Sequence, residues 1–326
     1  MFKVSEVSPR AMKRFPLLSF IAFVSGLISG AAFAQSQIAI PGVIAANARV
    51  ELVKDGYRWL EGPVSDGKGG LYFTDLSASR IYHLAPAGDI TLWRENTQGT
   101  NGLFLLPDGR MLGSQGGGKR IVEFMDDGSV RPVVTAVAGQ PLRGPNDLIP
   151  DRKGGIYFTD PAPRPGPDIA PKEPGNLYYM RPNGDVVFLD GAIQRPNGIT
   201  LSLDERTLYV DDTEGEYLYA FDVQPDGSVK NKRQFAKMLE PEKGTFGMKS
   251  RGDGMALDAE GRVYVTTGAG IQVISPKGQH LGIIRLPALA HNVAFAGPKR
   301  QTLYLTGLTG LYRVEVLSAG PQGRSK

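Results

Sequence analysis

The sequence predicts an all-β fold, a six-bladed β-propeller whose blades are four-stranded antiparallel sheets. A phrase of fifteen residues recurs six times, and its copies begin 40, 45, 51, 56 and 39 residues apart. Between successive copies lies another strand, Gly-containing turn and strand, as in SRIYHLAPAGDITLWRE at 79–95. Repeats of this length, with four strands each and no helical periodicity, are typical of propellers. A β-sandwich is the alternative fold, but it does not require six copies in phase.

Each copy of the phrase reads as a strand, a short turn and a second strand. The turns carry Gly or Asp, as in DRKGG and AEGR, which is the composition of hairpin turns. The second strands, such as IYFTD and TLYVDD, are rich in the aromatic and β-branched residues that favour strands. The six copies are Glu61–Asp75, Asn101–Gln115, Asn146–Asp160, Asn197–Asp211, Asp253–Thr267 and Asn292–Thr306.

Two further strand-like segments flank the repeats, VELVKD at 50–55 and GLYRVEV at 310–316. We expect them to close the ring of blades, although the sequence leaves open which blade each one completes. Two long connections, 161–175 and 240–252, are expected at the mouth of the channel, where the repeated phrase begins. They are interpreted either as walls or lids of a pocket or as surface insertions.

The first 34 residues have the three-part pattern of a secretory signal peptide. Lys13 and Arg14 precede an apolar run, and the small residues of AFA at 32–34 stand ahead of Gln35. Met12 is an alternative start, because MKRFPLL opens a signal peptide better than MFKVSEV does. We expect cleavage after residue 34 and a periplasmic or secreted protein. An uncleaved membrane anchor is the alternative interpretation.

The rest of the chain, residues 35–326, is predicted to be a single propeller domain. No stretch in it approaches the roughly 18 apolar residues of a spanning helix, so no membrane association is expected after cleavage. The leader carries four Lys and Arg against one Glu, which leaves 33 Lys+Arg against 32 Asp+Glu in the remainder. This near-neutral balance gives no support for nucleic-acid binding. The absence of cysteine excludes disulfides and thiolate chemistry.

The first residue of every copy of the phrase carries a side-chain oxygen. In a propeller the first strand of each blade lines the central channel, so equivalent residues point towards one axis. Six such side chains, two of them carboxylates, resemble a site for a hard cation such as Ca²⁺, Mg²⁺ or Mn²⁺. Asn-Gly, Asn-Asp and Asp-Gly are alternatively turn dipeptides, which leaves Glu61 unexplained. The six first residues are Glu61, Asn101, Asn146, Asn197, Asp253 and Asn292.

The same phrases resemble the SMP-30/gluconolactonase/LRE family over essentially the whole chain after the leader. The matching segments are LEGP at 60–63, GPNDL at 144–148, GGIYFTDP at 154–161, RPNGI at 195–199, GDGMALDAEGRVYV at 252–265 and NVAFAGPKRQTLYLT at 292–306. The resemblance implies a six-bladed propeller with one divalent cation at the mouth of the channel. Ca²⁺ is the expected cation, and Mg²⁺, Mn²⁺ and Zn²⁺ remain open. By this resemblance the metal ligands are Glu61, Asn146, Asn197 and Asp253.

The resemblance also implies a catalytic residue and substrate contacts. Asp253 matches the family's catalytic acid/base. Asn146 matches a residue that binds metal in some members and substrate in others, and Asn101 is expected to contact substrate. The chain departs from the family at SQGGGKR, 114–120, where many bacterial relatives read CEHGNRR, and at His291, where Thr is usual. Both departures fall at the expected rim of the pocket, so they bear on substrate identity.

Three arginines stand two or three residues before a ring position, Arg143, Arg195 and Arg251. Each has the chemistry to bind hydroxyls or the carboxylate of a sugar acid, although two of the three are expected to be ordinary surface residues. The predicted substrate-binding set is Asn101, Asn146, Arg143 and His291.

Together these residues predict a metal-dependent hydrolase that opens a sugar lactone. The cation would polarise the carbonyl, and Asp253 would move a proton from water to the ring oxygen. Hydrolysis of other esters or phosphotriesters is the alternative reaction, and a non-catalytic periplasmic binding module is the alternative class. The sequence contains neither an H-E-x-x-H nor a G-x-S-x-G motif. The predicted partner is the small lactone, with no obligate protein partner evident.

Overall fold

The structure, a computed structural model, describes residues 37–163 and 172–326. The predicted leader lies outside the described residues, as does the middle of the 161–175 connection. The described part of the chain includes no helix long and apolar enough to cross a membrane. Its strands form six four-stranded sheets and two short hairpins, with antiparallel pairing throughout the sheets. The predicted six-bladed propeller is confirmed.

The blades follow one another along the chain, and each has four strands from the channel to the outer surface. Blade one comprises Leu60–Ser65, Leu71–Asp75, Arg80–Leu84 and Ile90–Glu95. Blade two comprises Thr100–Leu105, Met111–Gln115, Arg120–Phe124 and Val130–Val134. Blade three comprises Leu148–Pro150, Ile156–Asp160, Gly175–Met180 and Val186–Ile193. Blade four comprises Pro196–Leu201, Thr207–Asp212, Tyr217–Val223 and Val229–Lys237. Blade five comprises Met255–Leu257, Val263–Thr267, Gly270–Ile274 and His280–Ile284. Blade six comprises Ala290–Ala296, Thr302–Gly307, Leu311–Glu315 and Glu51–Lys54.

Blade six closes the ring, because it combines strands from both ends of the described chain. Glu51–Lys54 pairs antiparallel with Leu311–Glu315 as the outermost strand of this blade. Glu51 lies opposite Arg313, and the two side chains form an exposed ion pair of 3.0 Å. The question that the sequence left open is thereby answered: both flanking segments belong to blade six.

The fraction of buried residues falls from the innermost strand of a blade to its outermost strand. Every residue of Pro196–Leu201, the innermost strand of blade four, is buried. In Val229–Lys237, the outermost strand of the same blade, one of nine residues is buried. Strands covered on both faces carry continuous apolar runs, whereas a half-exposed strand tolerates polar side chains. The innermost strands therefore form a rigid wall on which channel-facing side chains are mounted.

Apolar layers between neighbouring blades hold the ring together. One hydrophobic cluster contains buried residues of blades two, three and four. Within it, the rings of Tyr157 and Tyr179 stack with their centroids 4.3 Å apart. The Tyr157 hydroxyl donates a hydrogen bond of 2.9 Å to the Gly227 carbonyl of blade four, so its polar end is also satisfied.

The two short hairpins lie outside the blades. Ala136–Val137 pairs with Gln140–Pro141 in the connection before blade three. Glu242–Gly244 pairs with Gly247–Lys249 in the 240–252 connection before blade five. Phe246 at the tip of the second hairpin is 53% exposed, and Met248 is 42% exposed.

Candidate active site

The predicted ring residues converge at one mouth of the channel. A cavity of about 280 Å³ is lined by five of the six: Glu61, Asn101, Asn146, Asn197 and Asp253. Cavities of this order hold a small ligand. The sixth residue, Asn292, is buried and does not line the cavity.

Asn292 instead forms a hydrogen bond to the ring residue Glu61. Its side-chain amide donates a hydrogen bond of 3.3 Å to Oε2 of Glu61. Its own Oδ1 accepts a hydrogen bond of 2.9 Å from the backbone N–H of Val293. Since both ends of the amide are engaged, Asn292 orients Glu61 from the neighbouring blade.

The aspartate that ends several copies of the phrase holds the approach to the ring. Asp75 accepts hydrogen bonds from the backbone N–H groups of Arg58 (3.0 Å) and Trp59 (3.1 Å), just before Glu61. Asp160 does the same for Arg143 (3.0 Å) and Gly144 (2.7 Å), before Asn146. In blade four this anchor is Asp212, which accepts from the backbone of Arg195 at 2.9 Å. An aspartate at the end of the second strand thus fixes the segment that leads into the first strand of the same blade.

Threonine hydroxyls tie two ring positions, Asn101 and Asn197, to the preceding blade. Thr74 of blade one donates to the carbonyl of Asn101 at 3.1 Å, and Thr159 of blade three donates to the carbonyl of Asn197 at 2.8 Å. Both threonines are buried. These bonds set the spacing between neighbouring ring residues, which local strand geometry alone leaves free.

The glycine that follows a ring residue allows the backbones of two neighbouring blades to approach closely. A Cβ atom on Gly62 would lie 2.1 Å from the carbonyl oxygen of Asn101, and one on Gly198 would lie 2.2 Å from that of Asp253. Both glycines are within innermost strands. The Asn-Gly pairs at 101–102 and 197–198 lie inside innermost strands rather than in the hairpin turns, which come further along the chain.

Carboxylates crowd at the ring. Burial raises the pKa of Glu61 well above its usual value, and the nearby charges of Asp253 and Asp147 raise it further. Burial also raises the pKa of Asp211, again assisted by the charge of Asp253. A positive charge placed among these groups would favour their ionised forms. The mouth of the channel is thus electrostatically suited to a cation.

The donor set fits a hard divalent cation. Among the described residues, Asn101 Oδ1 and Asn197 Oδ1 are buried and lack a hydrogen-bond partner. The Asn197 amide is oriented by its Nδ2, which donates to the Thr213 hydroxyl at 3.1 Å, while that hydroxyl donates to the Gly252 carbonyl at 2.8 Å. Unsatisfied buried oxygens are rare in native folds, so they indicate a missing partner. Carboxylate and amide oxygens are the ligands that Ca²⁺ prefers.

A cation at this site would need amide oxygens as well as carboxylates among its ligands. Residues 37–163 and 172–326 include no group of three or more His, Cys, Asp and Glu side chains arranged to hold a metal ion. The ring supplies only two carboxylates, Glu61 and Asp253, and its remaining oxygens belong to asparagines.

The three arginines before ring positions have different surroundings. Arg195 lines the cavity, and its Nη1 donates to the Ala162 carbonyl at 3.1 Å. Arg143 does not line it; its Nη2 donates to the Pro174 carbonyl at 3.1 Å, and its guanidinium lies 3.8 Å from Glu173. Arg251 forms an ion pair of 2.5 Å with the exposed Glu242. The guanidinium nearest the ring is therefore that of Arg195.

His291 lies in an adjoining cavity of about 430 Å³. Its buried imidazole stacks on Trp59 with centroids 4.8 Å apart, and burial lowers its pKa. The cavity has a mainly apolar wall that includes Leu289, Leu308 and Tyr312. Trp59 lines both cavities, and its indole stacks on His291.

The lining also includes residues that were not predicted, and two of them are Trp59 and Thr213. Each stands next to a recognised phrase, since Trp59 precedes LEGP and Thr213 follows the Asp-Asp that ends TLYVDD.

A larger groove of about 540 Å³ lies between blades three and four, and its lining includes Asp151, Tyr157 and Glu205. None of the predicted site residues lines this groove, so the ring remains the candidate site.

Comparison with known proteins agrees with this architecture. The family described as "SMP-30/Gluconolactonase/LRE-like region" matches residues 59–309. A gluconolactonase from Zymomonas mobilis is 24% identical over 303 residues, which are 86% of this chain and 85% of that protein. The structure of a gluconolactonase from Xanthomonas campestris is 30% identical, covers 83% of this chain and 90% of its own, and superposes with a TM-score of 0.72.

A calcium-binding protein, regucalcin from Agrobacterium tumefaciens, has the same fold. Its structure covers 83% of this chain and 95% of its own, with 18% identity and a TM-score of 0.69. The matched region, residues 59–309, contains five complete blades, the two inner strands of the sixth and every residue of the ring. The chain belongs to the SMP-30/gluconolactonase/LRE-like family.

Proposed function

We propose that this protein is a lactonase that opens the lactone of a sugar acid in the cavity at the ring. The observation that carries the proposal is the convergence of two carboxylates and three asparagines from five blades on one cavity of about 280 Å³. The gluconolactonases from Zymomonas mobilis and Xanthomonas campestris support a lactone as the substrate class.

We further propose that the site uses one divalent cation, with Ca²⁺ as the first candidate. Glu61, Asn146, Asn197 and Asp253 would hold it, and regucalcin's description as calcium-binding supports the choice. When bound, the cation supplies Lewis-acid polarisation of the lactone carbonyl.

Asp253 is the proposed general acid/base. Its side chain is half-buried and lines the cavity, so it is accessible to water and to substrate. It accepts a proton as the water oxygen bonds to the carbonyl carbon, and it returns that proton to the ring oxygen as the ester C–O bond breaks. The product is the open hydroxy acid, and the aspartate is regenerated.

Lining residues also position the substrate, and Asn146 serves both the cation and the substrate. Asn101, Asn146 and Arg195 present amide and guanidinium groups that can bind the hydroxyls of a sugar. Trp59 provides a flat apolar face at the cavity wall, suited to the C–H face of a pyranose ring.

The test is lactone hydrolysis by the protein after removal of metal and after addition of each candidate cation. Gluconolactone is the first substrate, and acid release above the spontaneous rate is the signal. Restoration of activity by Ca²⁺, Mg²⁺, Mn²⁺ or Zn²⁺ would support a metal-dependent lactonase. Full activity of the stripped protein in excess chelator would contradict the cation, and no activity with any cation would contradict the sugar lactone.

A second candidate is an ester or lactone with an apolar substituent. The apolar cavity that shares Trp59 with the ring cavity favours it, because an attached alkyl or aryl group can lie against Leu289 and Leu308. Acyl esters of increasing chain length distinguish the two substrates: kcat/KM rising with chain length favours the apolar one.

The cellular location is also a proposal. We propose export of the protein and removal of residues 1–34. Mass spectrometry of the protein from its native host is expected to show an N-terminus at Gln35, and an intact leader would contradict export.

A further inference from the structure

The end of the channel opposite the ring is closed by residues 318–326, here called the closing segment. Ring residues lie at the start of the innermost strands, whereas the closing segment reaches the last residues of three such strands. Its hydrogen bonds and its one buried ion pair engage every blade. The partners, from blade one to blade six, are Ser65, Leu105, Asp147, Leu201, Ala259 and Arg300.

The closing segment inserts a lysine into the channel. The Lys326 side chain is 0% exposed, and its ammonium forms an ion pair with Oδ1 of Asp147, whose side chain is 1% exposed. Asp147 directly follows the ring residue Asn146 in the chain. A Cβ on Gly102 would lie 2.3 Å from Oδ1 of Asp147, so the carboxylate packs next to Asn101. The pair therefore lies immediately beneath the ring.

Backbone and side-chain contacts fix the position of this lysine. The N–H of Ser65 donates to the Ser325 carbonyl at 2.9 Å, and the N–H of Leu105 donates to the Ser325 hydroxyl at 3.1 Å. Arg324 donates to the carbonyls of Leu201 and Ser202. With the preceding two residues bonded to three innermost strands, Lys326 has little freedom to leave Asp147.

The charge of Asp147 acts on the ring as well. It is one of the causes that raise the pKa of Glu61 and of Asp211, after burial and the charge of Asp253. Asp147 is thus electrostatically part of the acidic cluster at the mouth, and so is any charge that neutralises it. A buried ammonium is tolerated only with such a partner, because desolvation of an unpaired ion is very unfavourable.

We propose that Lys326 is an internal counter-cation of the channel, which neutralises Asp147 and thereby weakens the attraction of the ring for a divalent cation. The ion pair stabilises the fold in the absence of a bound cation. Because it lies beneath the ring, it also lowers the affinity of the ring for a cation. The affinity half of this proposal rests on the proposed cation site, whereas the ion-pair half does not.

The ion pair is tested by a double-mutant cycle on thermal unfolding in excess chelator. Lys326→Met leaves Asp147 buried and unpaired, and we expect the Tm to fall by about 10 °C. Lys326→Met combined with Asp147→Asn removes both charges and is expected to recover at least half of that loss. Lys299→Met removes an exposed lysine of a blade-six turn and serves as the matched control, with a Tm unchanged within about 1 °C. Additive losses in the double variant would overturn the counter-cation role.

The effect on the ring is tested by calorimetric titration of Ca²⁺ into the stripped proteins. Removal of a nearby positive charge strengthens cation binding, so Lys326→Met is expected to bind Ca²⁺ about tenfold more tightly than the wild type. Lys326→Arg keeps the charge and Lys299→Met leaves the channel intact, so both are expected to match the wild type. Equal affinity of Lys326→Met and wild type would overturn the affinity half. If the wild type binds no cation, the proposed cation site fails, and the unfolding cycle still decides the ion pair.

Discussion

The two ends of the channel are built from the same six strands, yet they treat polar groups differently. At the far end, the N–H groups of Ser65 and Leu105 and the carbonyl of Leu201 all find partners in the closing segment. At the mouth, the side-chain oxygens of Asn101 and Asn197 are buried without a partner among the described residues. Buried polar groups are normally satisfied, so unsatisfied oxygens that line a cavity indicate a place for a ligand.

Charge follows the same division. The closing segment pairs its cations: Arg324 pairs with Glu205 at 3.2 Å at the far end, and Lys326 pairs with Asp147 beneath the ring. At the mouth, the mutual repulsion of carboxylates and their burial raise the pKa of Glu61. Such crowding costs stability in the absence of a ligand, and a bound cation relieves it. Under the proposed function, the mouth is the functional end of the channel, and variants there are expected to have the larger effects.

The largest effect is expected from Asp253→Asn at the mouth. This change preserves the shape of the side chain and removes the proton acceptor, so kcat should fall by about 10²–10⁴-fold. Steady-state kinetics on the active substrate measures it, and circular dichroism checks the fold. A variant that retained kcat would mean that another group takes the proton.

The next effect concerns the contact between blades that brings the ring residues together. Gly198→Ala places a Cβ 2.2 Å from the Asp253 carbonyl, and we expect a loss of about 3 kcal/mol in the free energy of unfolding. Gly268→Ala is the matched control, since the nearest atom to its Cβ is a flexible Arg251 carbon at 3.4 Å. Urea denaturation measures both. Equal losses would show that the close approach of these strands is not required.

A pH effect follows from the crowded carboxylates. Glu61 has a folded pKa above its unfolded value of 4.5, so the folded metal-free protein binds more protons and loses stability as the pH rises above 4.5. For one group the slope is at most roughly 1.4 kcal/mol per pH unit. In chelator, Glu61→Gln should flatten this fall as the pH rises above 4.5. The same slope in both proteins would exclude Glu61 as its source.

The smallest effect separates two arginines. Arg195 lines the cavity and Arg143 does not, so Arg195→Ala should raise KM by about tenfold, while Arg143→Ala should change it by less than about twofold. Michaelis–Menten analysis of both variants decides. A larger rise in KM for Arg143→Ala would restore the sequence-based prediction that Arg143 binds substrate.

The sequence predicted the fold and most of the ring because both depend on a period. Equivalent positions of repeated blades occupy equivalent places, so the first residue of each copy identified Glu61, Asn101 and Asn197 as neighbours. The period also implied that Asn292 faces the cavity. Its amide instead bonds Glu61, a side-chain choice that backbone repetition does not determine.

Residues that do not belong to the repeated phrase could not be predicted from local sequence patterns. Trp59 stands two positions before Glu61 and reads as an ordinary strand aromatic, although it forms the wall between two cavities. Lys326 meets Asp147 across 179 residues of chain, and no repeat or composition signal connects such a pair. Contacts of this kind depend on how the blades pack in three dimensions.

The most direct test of the central claim is calorimetric titration of Ca²⁺ into the chelator-stripped protein, compared with Glu61→Gln. We predict one bound equivalent for the wild type and an affinity at least tenfold weaker for the variant, because Glu61 is one of two ring carboxylates. Equal affinity in the two proteins would contradict a cation site at the mouth of the channel.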